Sequence, residues 1–253
     1  MDRFRVVELR SPYMKTWFLS PTSPEKIVEI GQLLDLSSDS TVIDFGCAYG
    51  EVLRLLALNF GTKGVGIDVH EFLCKEGIRI NKEKGVDHLI TMVSGDASKY
   101  EVSDEKFDVA ICLSASFAFG GFRGTISRLK EYIKPLGSIV VAEPYYLDTD
   151  IPEELIEYEG HLSTEYELLQ MIYQENLELV YIFHSSEDDW DRYVCSGWHA
   201  FYQWVRRHPE DSEAVEAIKG SHKSQEMYVK YRRKYERHVM FVMQKSIDNL
   251  TSG

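Results

Sequence analysis

The fold of this chain is decided by Val42-Ile43-Asp44-Phe45-Gly46-Cys47-Ala48-Tyr49-Gly50-Glu51. A short apolar segment runs here into a loop of small residues, and the residues that follow, 52–57, are apolar except for Arg54 and are helix-forming. Small residues let a ligand lie against bare backbone at the start of a helix, where unbonded N–H groups point outward. We therefore expect a strand, a ligand-binding loop and a helix in that order.

Segments of strand and helix character alternate on both sides of this loop. The strands are continuous runs rich in Val and Ile, as expected where helices cover both faces of a sheet. The predicted helices cover residues 24–36, 51–60, 71–84 and 123–133, and the predicted strands cover 41–45, 64–69, 89–94, 107–113 and 138–143. This alternation predicts an α/β fold with a doubly wound, mostly parallel sheet.

The pattern changes beyond Pro144. Helical segments are predicted over 164–176, 187–207 and 212–236, and strands over 177–184 and 238–244. These helices exceed the needs of one sheet layer, so we expect a helical cap over the strand ends, where ligands bind. The whole chain, 1–253, is predicted to be one domain: an irregular N-terminal segment 1–23, a ligand-binding core 24–147, cap helices with one strand in 148–236, and a last strand in 237–245.

Composition narrows the class of protein. The 253 residues allow one large core, and 28 Lys and Arg against 41 Asp and Glu give a net charge of −13, which disfavours a nucleic-acid partner. The longest apolar stretch, Val109 to Phe119, is about half the length of a membrane span, and the charged N-terminus is unlike a signal peptide. The four cysteines are scattered without metal-ligand spacing. We therefore expect a cytoplasmic protein that has reduced thiols, no metal and no membrane association.

The loop differs from a dinucleotide-binding loop. That fingerprint, Gly-x-Gly-x-x-Gly, fails at its last glycine, where this chain has Glu51. An acidic residue there would also face a pyrophosphate unfavourably, which disfavours a nicotinamide oxidoreductase. The spacing suits a ligand without phosphate, and Asp44 is near enough to attract a cationic amino group.

Two further aspartates follow the next two strands. Asp68 ends the second strand, where a carboxylate can accept hydrogen bonds from both ribose hydroxyls. Asp96-Ala97 follows the third strand and could hold an adenine amino group. Three separate loops thus converge on one nucleoside.

Taken together, these motifs resemble those of the class I methyltransferases, which bind S-adenosylmethionine. Residues 44–50 are similar to that family's acidic-x-Gly-x-Gly-x-Gly loop, with Ala48 in place of the middle glycine. Asp68 matches its ribose-binding acid and Asp96-Ala97 its adenine-binding pair, and the resemblance covers roughly residues 24–143. Two further segments, 107–111 and 129–137, match its fourth strand and the turn before its fifth.

The resemblance implies a seven-stranded, Rossmann-like methyltransferase fold in which strand 238–244 lies antiparallel between the fifth strand and 177–184. It implies S-adenosylmethionine as cofactor, S-adenosylhomocysteine as product, and an unidentified small-molecule acceptor that is methylated by in-line displacement. The implied cofactor-binding residues are Asp44, Gly46, Cys47, Ala48, Gly50, Asp68, Val69, Asp96, Ala97 and Leu113.

A general base helps methyl transfer when the nucleophile is a hydroxyl or a protonated amine, whereas a thiolate or neutral amine needs mainly alignment. Glu143, Tyr193 and His199 are the candidate bases, with His161 and His184 as further histidines of suitable pKa. Glu143 ends a strand, where a helix-cap or solvent role is equally open.

The candidate substrate-binding residues are aromatic or charged and lie near the ends of the fourth and fifth strands or in helix 187–207. They are Phe117, Phe119, Tyr145, Tyr146, Asp188, Trp190, Arg192 and Tyr193. Ser186 and Asp189 explain part of this cluster as a helix cap. Trp190, Val194, Gly197 and Phe201 share one helical face, which favours core packing. Residues 143–146 and 190–193 also look similar to a bacterial and archaeal subgroup of small-molecule methyltransferases.

Two rival functions remain open. The basic run 230–237, with interleaved tyrosines, is typical of a solvated helix face but also fits an RNA methyltransferase. A noncatalytic protein that binds S-adenosylmethionine would carry the same loop. The sequence leaves the oligomeric state undetermined.

Overall fold

A computed structural model describes residues 3–14, 18–101 and 106–246. Within them seven strands form one sheet in the order β3-β2-β1-β4-β5-β7-β6. The strands are β1 Thr41–Phe45, β2 Lys63–Asp68, β3 Ile90–Ser94, β4 Phe107–Leu113, β5 Ile133–Tyr146, β6 Leu177–His184 and β7 Glu236–Lys245. Strands β1 to β5 pair in parallel, and β7 lies antiparallel between β5 and β6. The predicted seven-stranded, mostly parallel sheet is confirmed, including the place of its last strand.

Helices cover both faces of this sheet. They are α1 Arg3–Arg10, α2 Pro24–Leu33, α3 Glu51–Phe60, α4 Glu71–Glu83, α5 Phe122–Leu129, α6 Glu153–Glu159, α7 Glu165–Gln174, α8 Glu187–Arg207, α9 Glu213–Met227 and the short α10 Arg233–Tyr235. Successive side chains of a strand point to opposite faces. Val42 accordingly packs into the cluster that contains residues of α2 and α3, and Ile43 into the cluster that contains residues of α5 and α7.

The N-terminal segment is more regular than expected. Residues 3–10 form α1, although the sequence predicted an irregular segment there. Leu9 packs in a small cluster with Trp204, Ala214 and Ala217 of helices α8 and α9. A helix this short is marginal by itself, so these contacts account for it.

Two helix boundaries also differ from the prediction, and one helix was not expected. The helix expected to run to Ile133 ends at Leu129, because Ile133 pairs with Phe107 and begins β5. The helix expected over 212–236 becomes a π-helical turn at Tyr228, and Glu236 already belongs to β7. Helix α6 was not predicted.

Candidate active site

A cavity of about 1280 Å³ lies where the parallel strands end. Its floor, as we call it, comes from residues in or directly after the final parts of β1, β2, β3, β4 and β5. Its roof, as we call them, consists of the lining residues of α1, α8 and α9. Ligand pockets commonly measure about 300–1000 Å³. The cavity therefore has room for a nucleoside and a second molecule.

The small-residue loop after β1 adopts a backbone that requires glycine at two positions. Gly46 has φ +75°, and a Cβ there would lie 2.4 Å from the Cβ of Ala115. Gly50 has φ +70° and precedes the first turn of α3. Ala48 also has a positive φ, +48°, which an L-residue rarely adopts.

Asp68 holds this loop in place. Its Oδ2 accepts a hydrogen bond from the Ala48 N–H at 2.9 Å, and its Oδ1 accepts one from the His70 N–H at 2.9 Å. Burial raises the pKa of the Asp68 carboxyl. A carboxylate oxygen can accept more than one hydrogen bond, so Asp68 keeps acceptor capacity for hydroxyl groups in the cavity that it lines.

Asp44 lies one strand further along the same wall and is almost completely buried. Burial, aided by the negative charge of Asp68, raises the pKa of Asp44 to about 8. A cationic group beside this carboxyl would favour its ionised form. The site therefore suits an ammonium group.

Asp96 lines the cavity at its exposed edge. Its Oδ1 accepts hydrogen bonds from the Ser98 N–H at 3.0 Å and from the Ser98 hydroxyl at 2.7 Å, and Lys99 pairs with its Oδ2 at 3.1 Å. The Ser98 hydroxyl and Lys99 hold the pKa of Asp96 below its usual value. Asp96 is thus an ionised acceptor beside the turn 97–99.

The structure brings the predicted cofactor residues together along one wall, which we call the donor wall. It consists of Asp44, Gly46, Cys47, Ala48, Asp68, Val69, Asp96, Ala97 and Leu113. Gly50 is not among the lining residues. A Cβ at Gly50 would lie 2.8 Å from the Sδ of Met92 in β3.

Glu143 faces the same cavity from the β5 end. Its Oε1 is buried and has no hydrogen-bond partner among residues 3–14, 18–101 and 106–246. Burial raises the pKa of Glu143 to about 8. A carboxyl with this pKa that faces a ligand cavity has the properties of a general base near neutral pH.

The other candidate bases divide into two groups. Tyr193 lines the cavity from α8. His199 is exposed on the same helix, 3.3 Å from Gln203, and does not line the cavity. His161 is exposed, and exposed His184 lies 2.9 Å from Glu165.

Of the predicted substrate-binding residues, Phe117, Trp190 and Tyr193 line the cavity. The other predicted residues do not line the cavity, because they pack against neighbouring side chains or are exposed to solvent. Phe119 contacts Phe45 edge-on, with ring centroids 5.5 Å apart.

Tyr145 and Tyr146 are buried, because β5 continues to pair with β7 as far as Tyr146. The Tyr146 hydroxyl donates to the Gly160 carbonyl at 2.8 Å. Asp188 and Arg192 are exposed on α8, and Arg192 lies 3.3 Å from Asp189. The structure thus does not bring these four residues to the cavity.

The aromatic face of α8 packs in the interior, as its spacing favoured, and also borders the cavity. Trp190 and Val194 form a buried cluster with Tyr228, and Trp190, Val194, Gly197 and Phe201 all line the cavity. Gly197 permits a close approach of α1, because a Cβ there would lie 3.1 Å from Nη1 of Arg10.

Sequence reasoning missed His238, which lines the cavity but is only 2% exposed. Its Nε2 lies 2.8 Å from Ser114 Oγ and its Nδ1 lies 3.0 Å from Ser185 Oγ. Burial lowers the pKa of His238 to about 3. The predicted topology could have indicated this position. An antiparallel last strand begins at the edge of the sheet where its parallel neighbours end, so its first residues lie beside the cavity.

Residues 3–14, 18–101 and 106–246 contain no cluster of three or more His, Cys, Asp or Glu side chains suited to a metal ion. None of the helices in that part of the chain is long and apolar enough to cross a membrane.

Known proteins show the same organisation. The profile of the family described as "Methyltransferase domain" matches residues 36–208. The YjhP protein of Escherichia coli (strain K12) is 29% identical over 219 residues, which are 85% of this chain and 88% of YjhP. The sarcosine/dimethylglycine N-methyltransferase of Halorhodospira halochloris is 31% identical over 123 residues, which are 48% of this chain and 43% of that enzyme. The crystal structure of a SAM-dependent methyltransferase from Geobacter sulfurreducens in complex with S-adenosyl-L-homocysteine aligns with a TM-score of 0.88 at 28% identity, covering 95% of this chain and 98% of that one.

Proposed function

Since this chain belongs to the methyltransferase domain family, we propose that it transfers the methyl group of S-adenosylmethionine to a small-molecule acceptor. The chain is an S-adenosylmethionine-dependent methyltransferase, and S-adenosylmethionine is its cofactor. The identity of the acceptor and the roles of individual residues are the proposed part.

The donor wall is the observation that carries the proposal. Asp44 lies near the end of β1, Asp68 ends β2 and Asp96 follows β3. These three strands are neighbours in the sheet, and all three aspartates line one cavity. We assign the adenine to Asp96, the ribose hydroxyls to Asp68 and the ammonium group of the methionine part to Asp44. This order matches the order in which these groups are connected in the donor.

The aromatic lining of the cavity supports a small acceptor. The roof contributes Trp190, Tyr193, Trp198 and Phe201 to the lining of the cavity that the donor wall also lines. Sites for small molecules are commonly lined by apolar and aromatic side chains with a few polar groups. The relative from Halorhodospira halochloris, by its name, methylates the small amines sarcosine and dimethylglycine, which is consistent with this choice.

Glu143 is the proposed general base. In an in-line displacement, the nucleophilic atom of the acceptor forms a bond to the methyl carbon as the carbon–sulfur bond breaks. The electron pair of the broken carbon–sulfur bond stays with the sulfur atom. The sulfonium thereby becomes the uncharged thioether of S-adenosylhomocysteine. Glu143 would take the proton that an amine or hydroxyl acceptor loses in this step.

The RNA alternative has less support. The basic run 230–237 is largely paired with carboxylates of the chain itself: Lys230 with Glu154 at 2.7 Å, Arg232 with Glu159 at 2.9 Å, Arg233 with Asp191 at 3.2 Å and Arg237 with Glu187 at 3.2 Å. Cations that already have acidic partners attract phosphate less, and the chain carries a net charge of −13.

Calorimetric titration and a transfer assay test the proposal. The purified protein is titrated with S-adenosylmethionine and S-adenosylhomocysteine, and then incubated with methyl-labelled donor and either a panel of small amines and alcohols or total RNA. We expect both nucleosides to bind and the label to enter a small molecule. Absence of binding would contradict the donor site, and label found in RNA alone would contradict the acceptor class. Binding without any S-adenosylhomocysteine formation would favour the noncatalytic alternative.

Substitution of the base refines the test. Glu143→Gln should leave donor affinity unchanged and lower turnover about 10²- to 10⁴-fold, the usual contribution of a general base. Asp188→Asn, at an exposed carboxylate of α8, is the matched control and should retain full turnover. Equal turnover in both variants would remove Glu143 from the mechanism.

A further inference from the structure

Ser114 has an unusual conformation at the end of β4. It lines the cavity, has φ +60°, and donates its N–H to the Ala142 carbonyl of β5 at 2.9 Å. A positive φ is unfavourable for serine, and such residues persist where surrounding contacts determine them. The contact that fixes its side chain is with His238, whose Nε2 lies 2.8 Å from Ser114 Oγ.

The direction of this hydrogen bond follows from the other side of the imidazole. The hydroxyl of Ser185 donates its one hydrogen to the Pro21 carbonyl, which can only accept. Ser185 Oγ, 3.0 Å from Nδ1 of His238, must therefore accept from Nδ1–H. The neutral ring then has a lone pair at Nε2, so Ser114 is the donor in its bond to His238.

The imidazole remains neutral in this chain of hydrogen bonds. Burial and the nearby Lys26 ammonium lower the pKa of His238 to about 3. A protonated ring would donate at both nitrogens and would turn the Ser114 hydroxyl hydrogen away. His238 therefore orients Ser114 and does not itself take up a proton at neutral pH.

The oriented hydroxyl has one property that matters for a ligand. Its hydrogen is committed to His238, so Ser114 Oγ can offer the cavity only lone pairs. Glu143, which follows Ala142 on β5, faces the same cavity with an oxygen that has no hydrogen-bond partner among the described residues. This part of the cavity thus presents two hydrogen-bond acceptors, because the Glu143 carboxyl, with its pKa of about 8, keeps a carbonyl oxygen that accepts even while the group is protonated.

These acceptors lie on the side of the cavity that the donor leaves open. Under the proposed function, on which this inference rests, the nucleoside extends over β3, β2 and β1. Ser114 follows β4, Glu143 lies near the end of β5 and His238 near the start of β7, and these are the next strands in the sheet. With the nucleoside placed in this way, the sulfonium methyl group faces their side of the cavity.

We propose that Ser114 Oγ accepts a hydrogen bond from the N–H or O–H group that becomes methylated, and that His238 and Ser185 are positioning residues for it. The acceptor class is therefore amines and alcohols that carry a hydrogen on the nucleophilic atom. A carbon or thioether nucleophile would leave these acceptors without partners.

Sinefungin, in which a carbon that carries an amino group replaces the methylated sulfur, tests this directly. Its ammonium group lies where the methyl group would be. We expect Ser114→Ala to lower the affinity for sinefungin about tenfold or more, as for a hydrogen bond to a charged group, and to leave the affinity for S-adenosylhomocysteine unchanged. Calorimetry on both ligands gives the ratio of affinities.

Two further variants serve as references. Ser114→Gly removes the same hydroxyl while relieving the positive φ, so it should show the same loss without loss of stability. Ser196→Ala, on α8 outside the cavity, should leave the ratio unchanged. If neither nucleoside bound to the wild-type protein, the proposed function would fail, whereas binding of both with an unchanged ratio in Ser114→Ala would refute this inference alone.

Nitrogen NMR of histidine-labelled protein checks the positioning residues. We expect His238 to show a protonated Nδ1 and an unprotonated Nε2 at neutral pH. In Ser185→Ala, the ring proton of His238 should be distributed between the two nitrogens. The affinity for sinefungin should fall as well. A ring protonated at Nε2 in the wild-type protein would overturn the proposal.

Discussion

Ala48, a residue of the donor wall, has a left-handed backbone conformation, which is energetically unfavourable for alanine. We expect Ala48→Gly to stabilise the protein by up to about 1 kcal/mol, because the left-handed conformation costs an L-residue about 1–2 kcal/mol and glycine loses part of that gain in chain entropy. Urea unfolding measures the change. Ala57→Gly, inside α3, is the opposite case and should destabilise by about 1–2 kcal/mol, because it adds chain entropy and removes a buried methyl group. Destabilisation by Ala48→Gly would contradict the backbone geometry of the loop.

Asp68 joins the loop to the proposed ribose site. We expect Asp68→Ala to weaken S-adenosylhomocysteine binding by about 1–3 kcal/mol, since it removes charge-assisted hydrogen bonds from a buried position. The control is Asp87→Ala, which changes an exposed aspartate before β3. Calorimetry on this variant should give the wild-type affinity. An unchanged affinity in Asp68→Ala would show that the ribose lies elsewhere.

Asp44 makes stability depend on pH. Its pKa is about 8 in the folded chain and about 3.9 in an unfolded one. Between these values the folded state keeps a proton that the unfolded state has lost, so the stability contributed by Asp44 is full below pH 4 and is lost as pH rises through 8. We therefore expect the gain in unfolding free energy of ligand-free Asp44→Asn over wild type to grow from pH 5 to pH 8. A difference independent of pH would mean that Asp44 is ionised in the empty site.

Residues of the donor wall could be predicted from the sequence, whereas those opposite could not. Asp44, Asp68 and Asp96 lie at or just beyond the ends of strands that are visible as apolar runs, and parallel strands end at one edge. Ser114 and His238 are 124 positions apart and meet only because β7 enters the sheet antiparallel beside β5. No local pattern marks such a pair.

Among the helices, α8 shows how a local signal supports the site. Ser186 Oγ accepts from the Asp189 N–H at 3.1 Å, and Asp189 returns a bond to the Ser186 N–H at 3.0 Å, which is a complete capping box. We expect Ser186→Ala to lower the free energy of unfolding by about 1 kcal/mol, measured by urea denaturation. Ser212→Ala is the matched control, because the serine before α9 makes no cap hydrogen bond with its side chain. Equal effects of the two substitutions would argue against the cap.

The elements themselves were predictable to different degrees. The capping signals and apolar period of α8 gave its bounds, and the Val- and Ile-rich runs gave the strands. Helix α1 was missed because eight residues carry little periodic signal and its order depends on contacts of Leu9 with distant helices. The helix predicted over 212–236 was too long, because pairing with β5 and β6 draws Glu236 into β7.

For the molecule as a whole, occupation of the cavity should raise the melting temperature. At a concentration one hundred times its Kd, a ligand that binds only the folded state adds about 2.7 kcal/mol, which corresponds to about 5–10 °C for a chain of this size. Differential scanning fluorimetry with S-adenosylhomocysteine measures the shift. NAD at the same concentration should give none, because the Glu51 carboxylate in the cavity lining opposes a pyrophosphate. A larger shift with NAD would contradict the donor assignment.

The position of β7 between β5 and β6 has a consequence for biosynthesis. On the ribosome, β6 is made before β7, yet among the described residues β6 pairs with β7 and with no other strand. Pairing over so long a separation is slow, so we expect β6 to wait as an unpaired edge until residues 236–245 emerge. A nascent chain can thus form β1, β2 and β3, which carry most of the donor wall, before residues 236–245 bring His238 to the cavity.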